Sequence, residues 1–173
     1  MCYNNGKEES VELKHKLSPR IVFVSLYFVC FAAYIIYGLQ PAEAAHYEIA
    51  SQLAIPSISL ETGVTKVEVN NGKLDTPDTI AGSYTRTENK TLLIGHSTTV
   101  FQDLNHVNLG DEITYDGKVY KVVKLEFKEK SRVDMTEILK REEKDTIVIM
   151  TCAGELLDGG DATHRFMVTA VAL

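Results

Sequence analysis

A run of 19 uncharged, almost wholly apolar residues divides this 173-residue chain into a short N-terminal tail and a larger C-terminal part. The run extends from residue 21 to residue 39, and about 20 apolar residues let a helix cross the hydrocarbon core of a bilayer. Basic residues precede the run and acidic residues follow it (Lys14, Lys16 and Arg20 before; Glu43 and Glu48 after). Because basic flanks stay in the cytoplasm, the sequence predicts a single-pass membrane protein with everything after residue 40 outside.

A cleaved signal peptide is the competing interpretation of this run. Residues 42–44 read Ala-Glu-Ala, a sequence of the kind that signal peptidase cleaves. The apolar run is longer than the usual core of a signal peptide, which favours an uncleaved anchor. The predicted organisation is a cytoplasmic tail at 1–20, a transmembrane helix at 21–39, a stem at 40–51 and an extracytoplasmic domain at 52–173.

The charge of the chain argues against nucleic acid as a partner. The net charge is −6, and the four basic and three acidic residues among 1–20 leave −7 on the remainder. An acidic domain with no basic cluster and no tryptophan is a poor candidate for nucleic-acid binding. The overall content of 45% hydrophobic and 24% charged residues is typical of a folded protein.

Short strand patterns separated by turn signals fill the exported part. The clearest is a β-hairpin at 111–123, where Asp116-Gly117 supplies the positive φ angles of a two-residue turn. Further extended segments are predicted at 53–58, 64–69, 91–95, 146–151 and 165–171. Seven or eight short strands with little helix predict an all-β barrel or sandwich.

Helical patterns are few. A weakly amphipathic, alanine-rich stretch at 41–51 predicts a short stem helix. Apolar spacing predicts one surface helix at 134–143, which begins with an Asp134/Glu137 pair resembling a capping box.

Cys152 is the only thiol after the apolar run, because Cys2 falls in the tail and Cys30 within the run. It ends the apolar strand pattern at 146–151. A lone cysteine exported to an oxidising compartment has no disulfide partner in its own domain. This indicates a thiol whose reactivity serves a function. The sequence alone leaves this open, since a free cysteine at a strand end is as often a small buried hydrophobe.

His96 and Arg165 supply the partners that a reactive thiol needs. Thiolate attack on a carbonyl requires a depressed thiol pKa or a nearby base, and a donor for the oxyanion that develops. His96 follows the strand pattern at 91–95 and Arg165 begins the last one. If the last two strands pair antiparallel, Cys152 and Arg165 face each other at one edge of the sheet. The trio predicts a cysteine acyl-transfer enzyme.

The order and spacing of these residues resemble the sortases, the membrane-anchored cysteine transpeptidases of the bacterial cell surface. The resemblance runs from about residue 53 to the C-terminus and rests on seven short pieces. These are Leu53-x-Ile55-Pro56-Ser57-Ile58, Ile94-Gly95-His96-Ser97, Phe101-x-x-Leu104, Leu109-Gly110-Asp111, Tyr120-x-Val122, Thr151-Cys152 and Arg165-x-x-Val168. No single piece is specific, but the order and spacing together are.

The resemblance implies a sortase-like closed β-barrel and a thioacyl-enzyme mechanism. Cys152 would attack the Thr–Gly bond of a sorting signal similar to Leu-Pro-x-Thr-Gly at the C-terminal end of a surface protein. His96 would act as general acid and base, and Arg165 would hold the substrate and stabilise the oxyanion. An amine of a cell-wall precursor or of a pilin would then release the acyl group.

The resemblance also implies substrate-binding residues beside the catalytic ones. Thr151 precedes the nucleophile, where family members contact substrate, and Ser97 and His164 flank the catalytic histidine and arginine. The acidic loop at 155–163 lies beside the pocket in this family and leaves the accepted motif open. No cofactor and no metal are implied.

Alternatives remain for several residues. His164 directly precedes Arg165 and rivals His96 as the base, while Arg165 by itself also fits a structural ion pair. Ser97 lacks the glycine two places later that a serine nucleophile elbow requires. Residues 158–161 lack the ligand pattern of a helix-loop-helix calcium site, and the scattered histidines offer no zinc-binding pair.

Two other functions are compatible with the same residues. One is a thiol hydrolase whose acyl enzyme is resolved by water, because no feature of the sequence defines an amine pocket. The other is a membrane-tethered β-barrel that binds a peptide or glycan without catalysis.

Overall fold

The computed structural model describes residues 47–157 and 161–173, which belong to one compact unit. The predicted tail, transmembrane helix, signal-peptidase sequence and first part of the stem lie outside the described residues, as do residues 158–160 of the acidic loop. Within the described ranges, no helix has the length and apolar character needed to span a bilayer.

The described part of the chain contains ten strands, most of them short. They are β1 Ser51–Ile55, β2 Leu60–Lys66, β3 Val69–Asn70, β4 Lys73–Leu74, β5 Ala81–Thr87, β6 Lys90–Ile94, β7 Glu112–Tyr115, β8 Lys118–Glu129, β9 Thr146–Leu156 and β10 Ala162–Ala172. Helical structure in these ranges is limited to α1, Met135–Ile138, and to 3-10 turns at Pro56–Ile58, Leu104–His106 and Lys130–Arg132.

Eight of these strands close into a barrel in the order β1-β2-β5-β6-β9-β10-β8-β7, and β7 pairs with β1 to complete it. The pairs β2/β5 and β6/β9 are parallel, and the other barrel pairs are antiparallel. β3 and β4 form a separate hairpin. The predicted closed barrel of seven or eight strands is therefore confirmed.

Alternating side chains give the barrel wall two apolar faces. In β9, Ile147 and Ile149 point into the barrel core, whereas Val148 and Met150 join a second cluster on the outside. This outer cluster also contains Leu92, Ile94, Leu139 and Met167, and Leu74, Tyr84, Val133 and Met135 pack against it. A strand with both faces covered reads as a continuous apolar run, which is the pattern seen at 146–151.

The structure confirms the clearest local predictions. The hairpin of β7 and β8 turns at Asp116 and Gly117, whose φ angles are 49° and 76°. A second turn, between β3 and β4, places Asn71 and Gly72 at positive φ angles of 51° and 75°. Residues 91–94, 146–151 and 165–171 lie in strands, and Gly95 directly follows β6.

Other local predictions are wrong. The helix predicted at 134–143 is one turn long; Asp134 does cap it by accepting a hydrogen bond from the backbone N–H of Thr136 at 2.8 Å, but the helix ends at Ile138. The described residues of the predicted stem helix are not helical, because 47–50 have no regular structure and Ser51 begins β1.

The extended segments also differ in detail. The segment predicted at 53–58 ends its strand at Ile55, since Pro56 begins a 3-10 turn rather than prolonging the strand. The strand predicted at 64–69 runs from Leu60 to Lys66. Strand β5 was not predicted, because its alternating small and polar residues give no apolar signal.

Candidate active site

Cys152 lies on the outer face of β9, near the end of the strand's apolar portion. It is a free, half-buried thiol. It shares its face with Met150 of the outer cluster, whereas Thr151 points the other way and is buried. The strand continues past Cys152 to Leu156, so the cysteine lies inside the strand and not at its end, where the sequence pattern placed it.

Arg165 lies beside Cys152 on the neighbouring strand. The two are Cα partners in the antiparallel β9/β10 ladder, so their side chains project from the same face. The antiparallel pairing expected from the sequence is therefore present. A register irregularity between Ala162 and His164 precedes this pair, and the ladder is regular from His164 onward.

His96 is brought to the same level of the sheet by the parallel pairing of β6 and β9. Ile94 is the partner of Met150, and His96 and Cys152 each lie two residues further along their chains. The Thr151 hydroxyl donates a buried hydrogen bond of 2.8 Å to the carbonyl of Gly95. This bond links the segment after β6 to β9 at the point where their parallel ladder ends. The fold thus aligns His96 with Cys152 through backbone register and one buried side chain.

Gly95 permits the chain to turn at His96. A Cβ atom at this position would lie 2.5 Å from Val100 Cγ1 and 2.7 Å from Phe101 Cδ2. Phe101 is itself buried in the barrel core, and its backbone N–H donates to the carbonyl of His96 at 3.0 Å. The imidazole is half-exposed, with its Nε2 atom 3.8 Å from Oδ1 of the exposed Asp78.

The Arg165 guanidinium is held by groups that precede it by one to four residues in the sequence. Nη1 donates to the backbone carbonyls of Ala162 at 3.0 Å and His164 at 2.8 Å, and Nη2 donates to Oδ1 of Asp161 at 2.7 Å. The side chain is only 14% exposed. An arginine has five N–H donors, so these three contacts orient the group and leave two donors for other partners.

Asp161 joins Arg165 to a second cation. Its other carboxylate oxygen accepts from the Lys130 ammonium group. Lys130, Arg165 and the backbone N–H of Ala162 hold the pKa of Asp161 well below its ordinary value. The carboxylate is therefore ionised near neutral pH and bridges two positive charges.

The three residues open onto a cleft of about 660 Å³ on the outside of the barrel. Its apolar lining comes from the outer cluster and from two segments that flank it, the β3/β4 hairpin and residues 130–139. The apolar lining residues are Val69, Leu74, Ile94, Val133, Met135, Leu139 and Met150. A groove of this size and lining suits a short peptide with at least one apolar side chain.

The remaining predicted site residues lie differently. His164 is on the face of β10 opposite to Arg165, where its ring stacks on Phe127 with centroids 4.6 Å apart and its Nδ1 atom is 2.8 Å from Thr163 Oγ1. Neither His164 nor Ser97 lines the cleft. Thr151 does line it, but its hydroxyl is turned inward to Gly95.

Sequence reasoning missed the residues that complete the cleft. Asp161 was noted only as part of an acidic loop, although an acid four residues before the arginine is a usable signal for an ion pair. The approach of Lys130 and of the β3/β4 hairpin to the cleft carried no signal, because it depends on tertiary packing. The described ranges hold no group of three or more His, Cys, Asp or Glu side chains arranged to bind a metal ion.

A free thiol, an imidazole and an oriented guanidinium at one end of an apolar cleft have the composition of a cysteine acyl-transfer site. The Sortase domain family profile matches residues 53–173, and the chain belongs to this family. It is therefore a cysteine transpeptidase of the cell-surface type.

Solved structures with the same fold are sortases of several kinds. Sortase A of Listeria monocytogenes is 17% identical with a TM-score of 0.56, covering 72% of this chain and 87% of its own. Sortase C2 of Pilus Island 1 of Group B Streptococcus is 18% identical with a TM-score of 0.56, covering 91% and 99%. The SrtA sortase from Actinomyces oris is 20% identical with a TM-score of 0.56, covering 77% and 86%. No curated protein sequence matches the chain.

Proposed function

We propose that this sortase cleaves a sorting signal similar to Leu-Pro-x-Thr-Gly through a thioacyl intermediate on Cys152. The observation that carries the proposal is that strand pairing places Cys152, Arg165 and His96 side by side at one end of a peptide-sized cleft. The thiolate of Cys152 attacks the carbonyl carbon of the threonine. The C–N bond to glycine then breaks, and the threonyl group remains on sulfur as a thioester.

His96 is the proposed general acid and base. In the first half-reaction it donates a proton to the departing glycine amine. In the second it accepts a proton from the attacking amine as the thioester opens and Cys152 leaves as a thiolate. His96 is favoured over His164 because it shares the cleft with Cys152, whereas His164 lies on the opposite face of its strand.

Arg165 is the proposed donor to the oxyanion. Three of its N–H groups already contact Ala162, His164 and Asp161, which leaves the side chain oriented before substrate binds. Preoriented donors are effective because little reorganisation is needed when charge develops on the carbonyl oxygen. Thr151 would hold Gly95 in place through its hydrogen bond, and it would border the peptide when the peptide is bound in the cleft.

The apolar part of the cleft is the proposed site of the signal's leucine and proline. Leu74, Met135 and Leu139 line it between the β3/β4 hairpin and residues 130–139. Burying a leucine side chain there contributes about 1.5–3 kcal/mol, which is enough to select a motif from other exposed peptides. Surface proteins with a C-terminal sorting signal are the proposed substrates, and a cell-wall or pilin amine is the proposed acceptor.

The proposed location is the bacterial membrane, with the barrel on its outer side. Support comes from the apolar run at 21–39 and the basic residues before it, and from the cell-surface role of the family. In this arrangement residues 1–20 form a cytoplasmic tail, residues 40–51 a stem, and residues 52–173 the catalytic domain.

Intact-mass spectrometry tests the proposal directly. The full-length chain in detergent is incubated with a pool of Leu-Pro-x-Thr-Gly peptides, and the mass of the protein is measured before and after a glycine-based amine is added. We expect a covalent adduct that the amine removes as a ligated peptide. Cys152→Ala should form no adduct, while Cys30→Ala, which removes a different thiol, should behave like the wild type. An adduct that persists in Cys152→Ala would overturn the proposal.

A further inference from the structure

The far end of the cleft carries two positive charges that no described carboxylate neutralises. Among the described residues, the cleft is lined by four side chains of Lys or Arg, Lys73, Arg86, Lys130 and Arg165, and by one carboxylate, that of Asp161. Asp161 pairs with Lys130 and Arg165 near the cysteine. Among residues 47–157 and 161–173, Lys73 and Arg86 form no ion pair, although the chain as a whole has a net charge of −6.

Arg86 lies two residues after Tyr84, another residue of the cleft lining, so alternation along β5 places both side chains on the cleft side of the strand. Thr85 pairs with Thr91 and Thr87 pairs with Lys90, so Arg86 is the extra residue of a bulge in the β5/β6 ladder. Bulges are common beside active sites.

Lys73 lies on β4 of the hairpin, which follows β2 in the chain. β2 runs parallel to β5, and the Val67 N–H donates to the Ser83 carbonyl at 2.9 Å, so the chain enters the hairpin alongside β5 in the direction of Arg86.

The pairing of strands gives the distance of this end from the cysteine. Thr85 of β5 is level with Thr91 of β6, which is the partner of Ile147 in β9. Ile147 is five residues before Cys152, or about 16 Å along an extended strand, and β5 lies two strands, or roughly 10 Å, to the side of β9. An extended peptide acylated at Cys152 therefore reaches Arg86 with roughly the fifth or sixth residue counted back from the cleaved bond.

We infer that this sortase selects sorting signals that carry an acidic residue just before the leucine of the motif, and that Lys73 and Arg86 bind its carboxylate. The inference rests on the proposed function, which places the leucine fourth from the cleaved bond. Asp161 shows that a carboxylate can pair with two basic side chains in this cleft, since it bridges Lys130 and Arg165. An anionic glycan is disfavoured as the occupant, because the cleft between the two cations and Cys152 is apolar.

Paired peptides test the inference with the full-length chain in detergent. One peptide carries Glu at the fifth and sixth positions before the cleaved bond, its partner carries Gln there, and a third carries the two Glu residues ten positions upstream. We expect kcat/KM to be about 3- to 10-fold higher for the first peptide than for the other two, as two partly exposed ion pairs would give. The ratio should fall toward one in 0.5 M salt.

Charge-matched variants identify the residues responsible. Lys73→Gln/Arg86→Gln should reduce the Glu/Gln ratio to about one. Lys66→Gln/Lys121→Gln removes two exposed lysines outside the cleft and should keep the wild-type ratio. If the wild type cleaves both peptides efficiently with a Glu/Gln ratio of kcat/KM of about one, the inference is overturned and the proposed function is left intact.

A binding measurement separates the inference from catalysis. Fluorescence anisotropy with the Cys152→Ala chain compares the affinities for the Glu and Gln peptides without any acyl transfer. Tighter binding of the Glu peptide supports the inference even if the wild type fails to cleave, which would count against the proposed function alone. Equal affinity for both peptides, with competition by a glycerol-phosphate polymer instead, would overturn the inference in favour of an anionic glycan.

Discussion

Cys152 and Arg165 are direct partners in the antiparallel β9/β10 ladder, and their side chains leave the same face of the sheet. Opposed residues in such a ladder have Cβ atoms about 4.5–5.5 Å apart, so the thiol and the base of the arginine side chain are neighbours by backbone geometry alone. His96 joins them through the parallel β6/β9 register. The positions of these three residues are therefore set mainly by strand pairing, while the orientation of each side chain depends on its own contacts.

Asp161 is predicted to orient Arg165 for catalysis. Asp161→Ala removes one of three contacts that hold the guanidinium, and we expect kcat to fall about tenfold with a smaller change in KM. Asp161→Asn keeps an acceptor oxygen but loses the charge, so it should be intermediate. Steady-state kinetics with a fluorogenic sorting peptide measures both variants.

Glu155→Gln is the matched control for Asp161, because Glu155 is an exposed acid of β9 that does not line the cleft. It should leave kcat within about twofold of the wild type. Equal losses in Glu155→Gln and Asp161→Ala would show that net charge, rather than the contact to Arg165, controls the rate.

The same ion pairs predict how stability depends on pH. Because the pKa of Asp161 is lowered in the folded state, its stabilising contribution is complete above the unfolded-state pKa of about 4 and is lost as pH falls further. The difference in free energy of unfolding between the wild type and Asp161→Asn should therefore be constant from pH 6 to 8 and shrink below pH 4. Urea unfolding at each pH measures it, and a difference that grows on acidification would contradict the assignment.

The sequence predicted the fold class and the three residues at the end of the cleft, but not the surroundings that orient them. Local sequence signals were sufficient where neighbouring residues alone determine the backbone conformation, as at the Asp116-Gly117 turn. They failed for β5, whose pairing with β2 and β6 depends on residues distant in sequence. They also overextended α1, because the apolar residues after Met135 pack on the outer cluster without needing a longer helix.

The side-chain directions of Thr151 and His164 show the same limit. A residue next to a nucleophile in sequence has its side chain on the other face of the strand, so Thr151 borders the cleft while its hydroxyl is turned away from it. Thr151 and His164 each neighbour a cleft residue, yet the side chain of each has its partner elsewhere, at Gly95 and at Phe127. Strand alternation was available from the sequence and would have separated these residues from Cys152 and Arg165.

Thr151 is predicted to act through Gly95 and not through substrate. Thr151→Val is nearly isosteric but leaves the Gly95 carbonyl without its buried donor, which should cost about 1–3 kcal/mol of stability. Because Gly95 precedes His96, we also expect kcat to fall. Thr151→Ser keeps the hydroxyl and should restore both properties. If the valine variant raised KM alone with unchanged stability, a direct contact with substrate would be the better explanation.

The two histidines are predicted to differ sharply in their effect on activity. His96→Ala should lower kcat/KM by about 10²–10⁴-fold, the usual contribution of a general acid and base. His164→Ala loses the stacking contact with Phe127 and the contact of Nδ1 with Thr163 Oγ1, so its activity should stay within about threefold of the wild type, with a stability loss of about 1–3 kcal/mol. Peptide cleavage and thermal unfolding of both variants measure these effects, and a reversed order of the two losses in activity would identify His164 as the base.

Gly95 is predicted to tolerate no side chain. In Gly95→Ala the new methyl group would lie 2.5 Å from Val100 and 2.7 Å from Phe101, and Phe101 cannot retreat because it is buried in the core. Overpacking of this kind costs about 1–3 kcal/mol, and the displaced backbone would carry His96 away from Cys152. We therefore expect a lower free energy of unfolding together with a loss of thioacyl adduct.

Gly63→Ala is the matched control for Gly95, since its new methyl group would also be crowded, at 2.8 Å from Ile49. Ile49 is 55% exposed and its side chain can move into solvent, so we expect nearly wild-type stability and adduct formation. Chemical unfolding and intact-mass analysis of the two variants distinguish a requirement at Gly95 from a general intolerance of alanine in the barrel. Wild-type stability and activity in Gly95→Ala would mean that the turn into His96 adjusts, and that the close packing of Gly95 on Phe101 does not set the position of the histidine.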